Sequence, residues 1–218
     1  MIKISKRLET ISSLVPVNAN AIDIGCDHGL LSVYLYQKGI VKNIIASDIN
    51  ENALKNAKEN IKKYNVNIET RLGNGLDVIN ESDKIDTIIV SGMGAHTIIE
   101  MLKDNRMKLS NINTIIIQSN TKLMFLRKEM VNLKYKITDE EIIKDNNKLY
   151  TIIKYEKGYK RYNKKELYFG PILLKKNSDL FMEKNKKELE KLELLLRILP
   201  KNKILDRYKI KREISLYK

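Results

Sequence analysis

Residues 21–30 (AIDIGCDHGL) are the segment from which the architecture of this chain can be inferred. Residues 21–25 form a short β-type run that ends in Gly25, and Gly29 closes the turn that follows. The spacing is not the G-x-G-x-x-G of dinucleotide-binding turns, and no Lys-Ser/Thr pair completes a P-loop. Glycines at a strand-to-helix turn let a ligand approach the backbone, and the helix N-terminus offers free N–H donors. We therefore predict a ligand-binding turn at the end of a buried strand.

Further β-type runs and helical segments alternate downstream of this turn. The runs span 43–48, 67–72, 85–91 and 112–118, and the helical segments span 28–38, 51–64, 95–103 and 122–132. This alternation predicts a parallel sheet covered by helices on both faces. Two last runs, 135–143 and 148–156, flank the turn residues Asp145-Asn146-Asn147 and predict an antiparallel hairpin. We predict an α/β, Rossmann-like sheet of seven strands, in the chain order typical of class I methyltransferases.

The pattern changes after residue 157. A stripe with alternating spacings of three and four predicts a long helix with a coiled-coil-like seam. A second helical segment spans 204–216, after the break at Pro200-Lys201-Asn202. We predict a first domain over 1–157 and a helical hairpin domain over 158–218, in a monomer, although the stripe could also support a dimer. The stripe consists of Met182, Asn185, Leu189, Leu192, Leu196 and Leu199.

Charge is unevenly distributed in this chain of 218 residues with a net charge of +14. Residues 154–218 hold 20 of the 41 Lys and Arg but only 9 of the 27 Asp and Glu. Such asymmetry indicates a polyanionic partner, most simply nucleic acid, and the alternative is a solvated lysine-rich tail. A hydrophobic content of 43% argues against disorder, and one cysteine with two histidines argues against disulfides and a Cys/His zinc site. Without a membrane span or secretory signal, a cytoplasmic protein without metal is expected.

Polar residues at successive strand ends predict the ligand. Asp23 and Asp27 suit a cationic cofactor with ammonium and sulfonium groups better than a pyrophosphate. Asp48 could accept both hydroxyls of a ribose, and Asn74 could bond an adenine edge while Leu76 packs on the ring. Together these features predict an S-adenosylmethionine pocket. The predicted cofactor residues are Arg7, Asp23, Gly25, Cys26, His28, Gly29, Asp48, Ile49, Asn50, Asn74, Gly75, Leu76 and Ser91.

Seven short stretches together resemble one protein family, the bacterial tRNA (adenine-N1)-methyltransferases that act at tRNA position 22 (TrmK). The combination of Asp23–His28 with Ser91-Gly92-Met93-Gly94 is the most specific part. The resemblance implies methyl transfer from S-adenosylmethionine to N1 of an adenine, which must be unpaired or extruded. N1 can attack directly, so Cys26 is not needed as a nucleophile. The matching stretches are 5–8, 23–28, 46–50, 71–76, 91–94, 118–120 and 169–171.

Catalytic roles follow from this resemblance. A carboxylate near the methyl group could stabilise the cationic product or accept a proton from the exocyclic amine, and we assign this role to Asp27. The alternative is that Asp27 only caps the helix or orients the cofactor amine. Gly92 and Met93 are assigned to the loop that receives the target base. Phosphate contacts are assigned to Lys160, Arg161, Lys164, Lys165, Lys175 and Lys176.

Two other functions remain compatible with the residues. A methyltransferase acting on another RNA or on a small molecule would have the same fold. A non-catalytic RNA-binding protein could also keep this fold. The basic tail argues against a small-molecule substrate, and the presence of Asp23, Gly25 and Asp48 argues against loss of the cofactor pocket.

Overall fold

A computed structural model describes residues 1–217 as seven strands and nine helices. The strands are β1 (Ala19–Ile24), β2 (Val41–Asp48), β3 (Glu69–Leu72), β4 (Thr87–Met93), β5 (Thr114–Ser119), β6 (Tyr135–Asp145) and β7 (Lys148–Lys157). The first five helices are α1 (Lys6–Ser13), α2 (Leu30–Gln37), α3 (Glu51–Lys63), α4 (Ala95–Asp104) and α5 (Leu123–Asn132). The last four are α6 (Lys164–Phe169), α7 (Pro171–Lys176), α8 (Asp179–Ile198) and α9 (Ile204–Ile214).

All seven strands form one sheet in the order β3-β2-β1-β4-β5-β7-β6. Strands β1 to β5 are parallel, and β7 is antiparallel to both β5 and β6. Every residue of β5 is buried, because helices cover both faces of the sheet. The predicted seven-stranded sheet with a final antiparallel hairpin is confirmed. The chain order reverses between β1 and β4, and a ligand crevice is expected at the carboxyl ends of these strands.

Helix α2 begins at Leu30 rather than at residue 28 as predicted. Gly29 adopts the left-handed conformation, with φ of 64°, and forms the N-cap without a side-chain hydrogen bond. The three preceding residues therefore remain outside the helix. Helix α1 was not predicted, and its N-cap is Ser5, whose hydroxyl accepts a hydrogen bond from the backbone N–H of Leu8.

The chain after β7 forms four helices, two of which are short and were not predicted. Helices α6 and α7 pack against α5 and β6. A small apolar cluster of Ile142, Phe169, Leu173 and Phe181 fixes them to the sheet. Helix α8 has 20 residues and contacts α9. No helix within residues 1–217 is long and apolar enough to cross a membrane.

Helix α8, which carries the predicted leucine stripe, contacts α9. From Asn185 to Leu199 the stripe residues are half-buried, whereas Leu194 and Ile198 on other faces are 58% and 68% exposed. The guanidinium of Arg207 on α9 donates to the carbonyl oxygen of Leu196 at 2.8 Å. The stripe thus packs within the chain, while true coiled-coil geometry and the division at residue 157 stay predictions. Lys218 lies outside the described residues.

Candidate functional site

Two cavities meet at the carboxyl ends of β1, β2 and β4, with Gly25 in the wall of both. The first, of about 270 Å³, is lined by Arg7, Leu8, Asp23, Gly25, Cys26, Asp27, His28, Leu30, Leu31, Ser91 and Gly92. The second, of about 300 Å³, is lined by Ile24, Gly25, Asp48, Ile49, Gly73, Asn74, Gly75, Met93, Thr97, Glu100, Met101 and Asp104. Most of the predicted cofactor residues are therefore brought together in one divided cleft.

The backbone conformation at position 25, where the two cavities meet, favours glycine. The φ of Gly25 is +70°, and a Cβ atom there would lie 2.5 Å from Cε of Met93. The N–H groups of Gly25 and Cys26 both donate to the carbonyl oxygen of Ser47, at 2.9 and 3.0 Å. These bonds hold the turn flat against the end of β2, which leaves room above it for a ligand.

Asp23 supplies a buried carboxylate to the first cavity. It is only 3% exposed, and the hydroxyl of Ser32 donates to it at 2.8 Å. Burial, opposed by the Ser32 bond and reinforced by Asp48, raises the pKa of Asp23 to about 6. Burial also raises the pKa of the Cys26 thiol far above its ordinary value, so this thiol is not a nucleophile near neutral pH.

Asp48 holds two loops at the second cavity. Its carboxylate accepts from the N–H of Asp27 at 3.0 Å and from the N–H of Asn50 at 2.9 Å. The neighbouring Ile49 is 70% exposed, and such an apolar side chain at a cavity mouth can cover a flat ring. Asn50 does not line either cavity, because its side-chain oxygen accepts from Asn52 and Ala53 and caps α3. Its predicted contact with the cofactor is corrected accordingly.

The loop after β3 departs from the prediction at one residue. Asn74 and Gly75 line the second cavity, but Leu76 is fully buried in the core below it. The expectation that Leu76 packs on a ligand ring is therefore wrong. The apolar surface at this place comes instead from Met101, which lies against Gly75.

Helix α4 contributes four residues to the second cavity that were not predicted. They recur at positions i, i+3, i+4 and i+7, which is one face of a helix. Two of them are carboxylates near the Asn74 loop, where hydrogen-bond acceptors suit an adenine amino group. This spacing could have indicated that the four residues share one face of a helix, although the sequence did not show that this face points toward the cavity. The residues are Thr97, Glu100, Met101 and Asp104.

Asp27 and His28 lie at the open side of the first cavity. Asp27 has a φ of +49°, and its side chain is 72% exposed. Its Oδ1 lies 3.6 Å from Nε2 of His28, which is too long for a hydrogen bond. The interpretation of Asp27 as the helix cap is wrong, since Gly29 occupies that position. The Asp27 carboxylate is therefore available to a ligand.

Gln118 organises the loop after β4. Its buried Oε1 accepts from the N–H of Gly92 at 3.1 Å, the hydroxyl of Ser91 at 3.3 Å and Nη1 of Arg7 at 3.2 Å. Its Nε2 donates to Asn120 at 2.8 Å. Gly92, with φ of +86°, has open space where a side chain would be, whereas Met93 lines the second cavity. Of the residues predicted to receive a base, only Gly92 faces the first cavity.

The predicted phosphate-binding residues are dispersed. The N–H of Gly158 donates to Lys134, and that of Lys157 to Asn113, which lies just before β5. Lys160 and Arg161 therefore lie near the amino ends of the parallel strands, opposite the cleft. The ammonium of Lys176 contacts Asp139 at 2.8 Å and Glu141 at 2.5 Å. Lys176 is thus a structural cation, and its assignment to phosphate is corrected.

The strand order and a cleft at the carboxyl ends of β1, β2 and β4 define a Rossmann-like methyltransferase fold. Comparison with known families agrees with this class of protein and identifies the family within it. The chain belongs to the tRNA (adenine(22)-N(1))-methyltransferase family, TrmK, whose sequence model matches residues 21–218. The predicted resemblance is confirmed.

Individual relatives match over nearly the whole chain. The tRNA (adenine(22)-N(1))-methyltransferase of Bacillus subtilis is 30% identical over 197 residues, which are 87% of this chain and 82% of that protein. A Streptococcus pneumoniae protein described as a candidate tRNA (m1A22) methyltransferase, crystallised with S-adenosyl-L-methionine, has a TM-score of 0.91 at 32% identity, covering 98% and 97% of the chains. The M. capricolum TrmK, crystallised with S-adenosyl-homocysteine, has a TM-score of 0.88 at 29% identity, covering 98% and 95%.

Proposed function

We propose that this protein transfers a methyl group from S-adenosylmethionine to N1 of the adenine at position 22 of tRNA. The observation that carries the proposal is the divided cleft. Its second cavity has a carboxylate and an amide suited to a nucleoside, and its first cavity is bordered by Gly92. Family membership supports the choice of tRNA as substrate.

The residues of the cleft fit the cofactor. In the second cavity, Asp48 would accept the ribose hydroxyls, and Asn74 would bond the adenine edge beside Ile49 and Met101. In the first cavity, Asp23 would hold the ammonium group and Arg7 the carboxylate of the methionine end. A buried carboxylate with a raised pKa gains most from such a cation, because the ammonium replaces lost hydration. No group of three His, Cys, Asp or Glu suited to a metal occurs within residues 1–217.

The first cavity, on the side of Gly92, would receive the target base. S-adenosylmethionine supplies a methyl group whose bond to the sulfonium sulfur breaks as the adenine N1 lone pair forms the new bond. This chain then has to hold N1 in line with that bond, which is a positioning task. Gln118 fixes the Gly92 loop for this purpose. The exposed Asp27 carboxylate stabilises the cationic base that results.

The α8–α9 hairpin would bind the RNA backbone. Helix α8 starts beside β6 and passes the carboxyl end of β5, so the hairpin extends on the same side as the cleft. Its exposed cations suit phosphate binding by shape rather than by base sequence. Those without an ion pair among the described residues are Lys186, Arg197, Lys201, Lys203, Lys211 and Arg212.

The experiment is methyl transfer from labelled S-adenosylmethionine to unmodified tRNA, followed by nucleoside analysis. N1-methyladenosine is expected with a tRNA carrying adenine at position 22 and is expected to vanish when guanine replaces it. Stabilisation by S-adenosylhomocysteine in a thermal-shift assay reports the cofactor site separately. Stabilisation without any methylation of tRNA would refute the proposed substrate and leave the cofactor assignment intact.

Asp27→Asn tests the proposed catalytic carboxylate. We expect the single-turnover rate to fall about 10²-fold, the lower range for acid–base groups, with little change in cofactor affinity. Asp77→Asn is the matched control, since Asp77 is exposed and lies outside both cavities. An unchanged rate for Asp27→Asn would remove Asp27 from the mechanism.

A further inference from the structure

A third cleft, of about 540 Å³, lies beside the first two. It is bounded by the end of β5, the start of β7 and one face of α8. None of the cofactor residues lines it. Its lining consists of Ser119, Asn120, Leu123, Asn147, Lys148, Leu149, Tyr150, Thr151, Lys184, Lys187, Glu188 and Lys191.

Two contacts connect this third cleft to residues that hold the Gly92 loop after β4. Asn120 in its wall accepts a hydrogen bond from Gln118 at 2.8 Å, and Gln118 holds the N–H of Gly92. Tyr150, also in its wall, packs under the guanidinium of Arg7 at 5.3 Å from the ring centre. Only Gln118 therefore separates Asn120, in the wall of the third cleft, from the Gly92 loop that is proposed to receive the base.

The charge of the third cleft is unbalanced. Four lysines face a single carboxylate, that of Glu188, which already pairs with Lys191 at 3.1 Å. Lys187 pairs with Glu183 at 2.6 Å. Lys148 and Lys184 form no ion pair among the described residues. The cleft therefore has two positive charges that could be neutralised by a bound anion.

Lys184 is the unusual member of the set. Its side chain is half-buried, and its ammonium donates one hydrogen bond among the described residues, to the hydroxyl of Thr151 at 3.0 Å. An ammonium has three donors, so two are free to bind a ligand in the cleft. Partial removal of a cation from water without a paired carboxylate is destabilising, so an anion bound beside it would offset that cost. Its burial lowers the pKa of Lys184 to about 8.

We infer that the third cleft binds a backbone phosphate of the substrate RNA close to the target nucleotide, with Lys184 and Lys148, which both line the cleft, as its counter-charges. This inference rests on the proposed function for the identity of the RNA. A phosphodiester oxygen supplies the acceptors that the Lys184 ammonium lacks. The hydroxyl and amide groups of Ser119 and Asn120 add neutral donors at the other wall.

The test compares Lys184→Met, Lys184→Arg and the control Lys42→Met in RNA-binding titrations across salt concentration. Lys42 is exposed at the amino end of β2, opposite the carboxyl ends of the strands where the clefts lie. We expect Lys184→Met to weaken tRNA binding about ten-fold and to reduce the slope of log Kd against log salt by about 0.7–0.9. Lys184→Arg should retain most of the affinity, and Lys42→Met should leave both the affinity and the slope close to those of wild type.

Two further readouts separate binding from folding. Lys184→Met should not lower the melting temperature, since it removes a half-buried charge that forms no ion pair among the described residues. Wild-type affinity should fall as pH rises through about 8, as Lys184 loses its proton, and Lys184→Arg should not show this fall. The charged groups near the Lys184 ammonium are Arg127 on α5, Glu140 on β6, Lys148 on β7, and Lys187, Glu188 and Lys191 on α8.

The outcomes are distinguishable from failure of the proposed function. If Lys184→Met binds tRNA with wild-type affinity and salt slope, the inference is overturned, whether or not methylation occurs. If inorganic phosphate stabilises the wild type but not Lys184→Met, while tRNA affinity is unchanged, the cleft is a small-anion site and the assignment to RNA is wrong. Absence of methylation with intact salt-dependent RNA binding would refute only the proposed function.

Discussion

Asp23→Asn should make the protein more stable at neutral pH while weakening its cofactor site. Asp23 is 3% exposed and retains only one hydrogen-bond donor from a side chain, the Ser32 hydroxyl. Its pKa of about 6, against 3.8 for a free carboxyl group, is a rise of about two units. At 1.36 kcal/mol per unit, ionisation of Asp23 destabilises the folded state by about 3 kcal/mol.

The sign of this effect depends on pH. Because the folded-state pKa is raised, the contribution of Asp23 to stability is greatest below pH 4 and is lost as pH rises through about 6. Asparagine can accept the Ser32 hydrogen bond but never ionises. The variant should therefore gain up to about 3 kcal/mol over wild type at pH 7, and this difference should shrink toward zero near pH 4.

Urea unfolding at several pH values between 4 and 8 measures the difference directly. Asp77→Asn, at an exposed carboxyl group, should show no comparable pH-dependent gain. The thermal shift caused by S-adenosylhomocysteine should decrease for Asp23→Asn, because the ammonium loses a charged partner worth about ten-fold or more in affinity. A variant that is less stable than wild type at pH 7, or a difference that does not vary with pH, would refute the reasoning.

Three other variants or reagents test the described contacts. Gly170→Ala should lower the free energy of unfolding by at least about 1–3 kcal/mol, since φ is +101° and a Cβ would lie 2.5 Å from Glu140 Oε2; a urea midpoint like that of wild type would contradict this. Arg127→Met should cost about 3–5 kcal/mol in the same assay, because it leaves Glu140 buried without its 2.8 Å partner, and the double variant Arg127→Met/Glu140→Leu should recover much of the loss. Cys26 should react with iodoacetamide far more slowly in the folded protein than in urea at pH 7.5, because burial raises its pKa; equal rates would show that the turn is open.

The sheet was predictable because its strands are apolar and bounded by turn residues. Each of the seven predicted runs corresponds to a strand, with ends displaced by a few residues. The three helices α1, α6 and α7 have six to eight residues, and in such short segments an apolar period is difficult to recognise. Helix α2 is as short, but its place between two predicted strands indicated it. Side-chain caps at Ser5 and Asn163 help to stabilise α1 and α6.

The candidate site was predictable where a residue type has one clear use at a strand end, as for Asp23, Gly25 and Asp48. It was not predictable where local geometry decides between two uses of one side chain. Asn50 caps a helix rather than facing the cofactor, and Leu76 lies in the core one residue beyond the cavity wall. The burial of Lys184 depends on how α8 packs across β7, which no local pattern specifies.

The buried pair of Arg127 and Glu140 joins the two parts of the chain at Gly170. The guanidinium donates to the carbonyl oxygens at the end of α6, and the carboxylate accepts from the first N–H groups of α7. Rotation of helices α7, α8 and α9 about this junction would therefore expose both charges. Under the proposed function, the distance between the hairpin that contacts the RNA backbone and the cleft that receives the base is fixed. The nucleotide to be modified would then be selected by its distance from the part of the tRNA that the hairpin contacts, rather than by the surrounding base sequence.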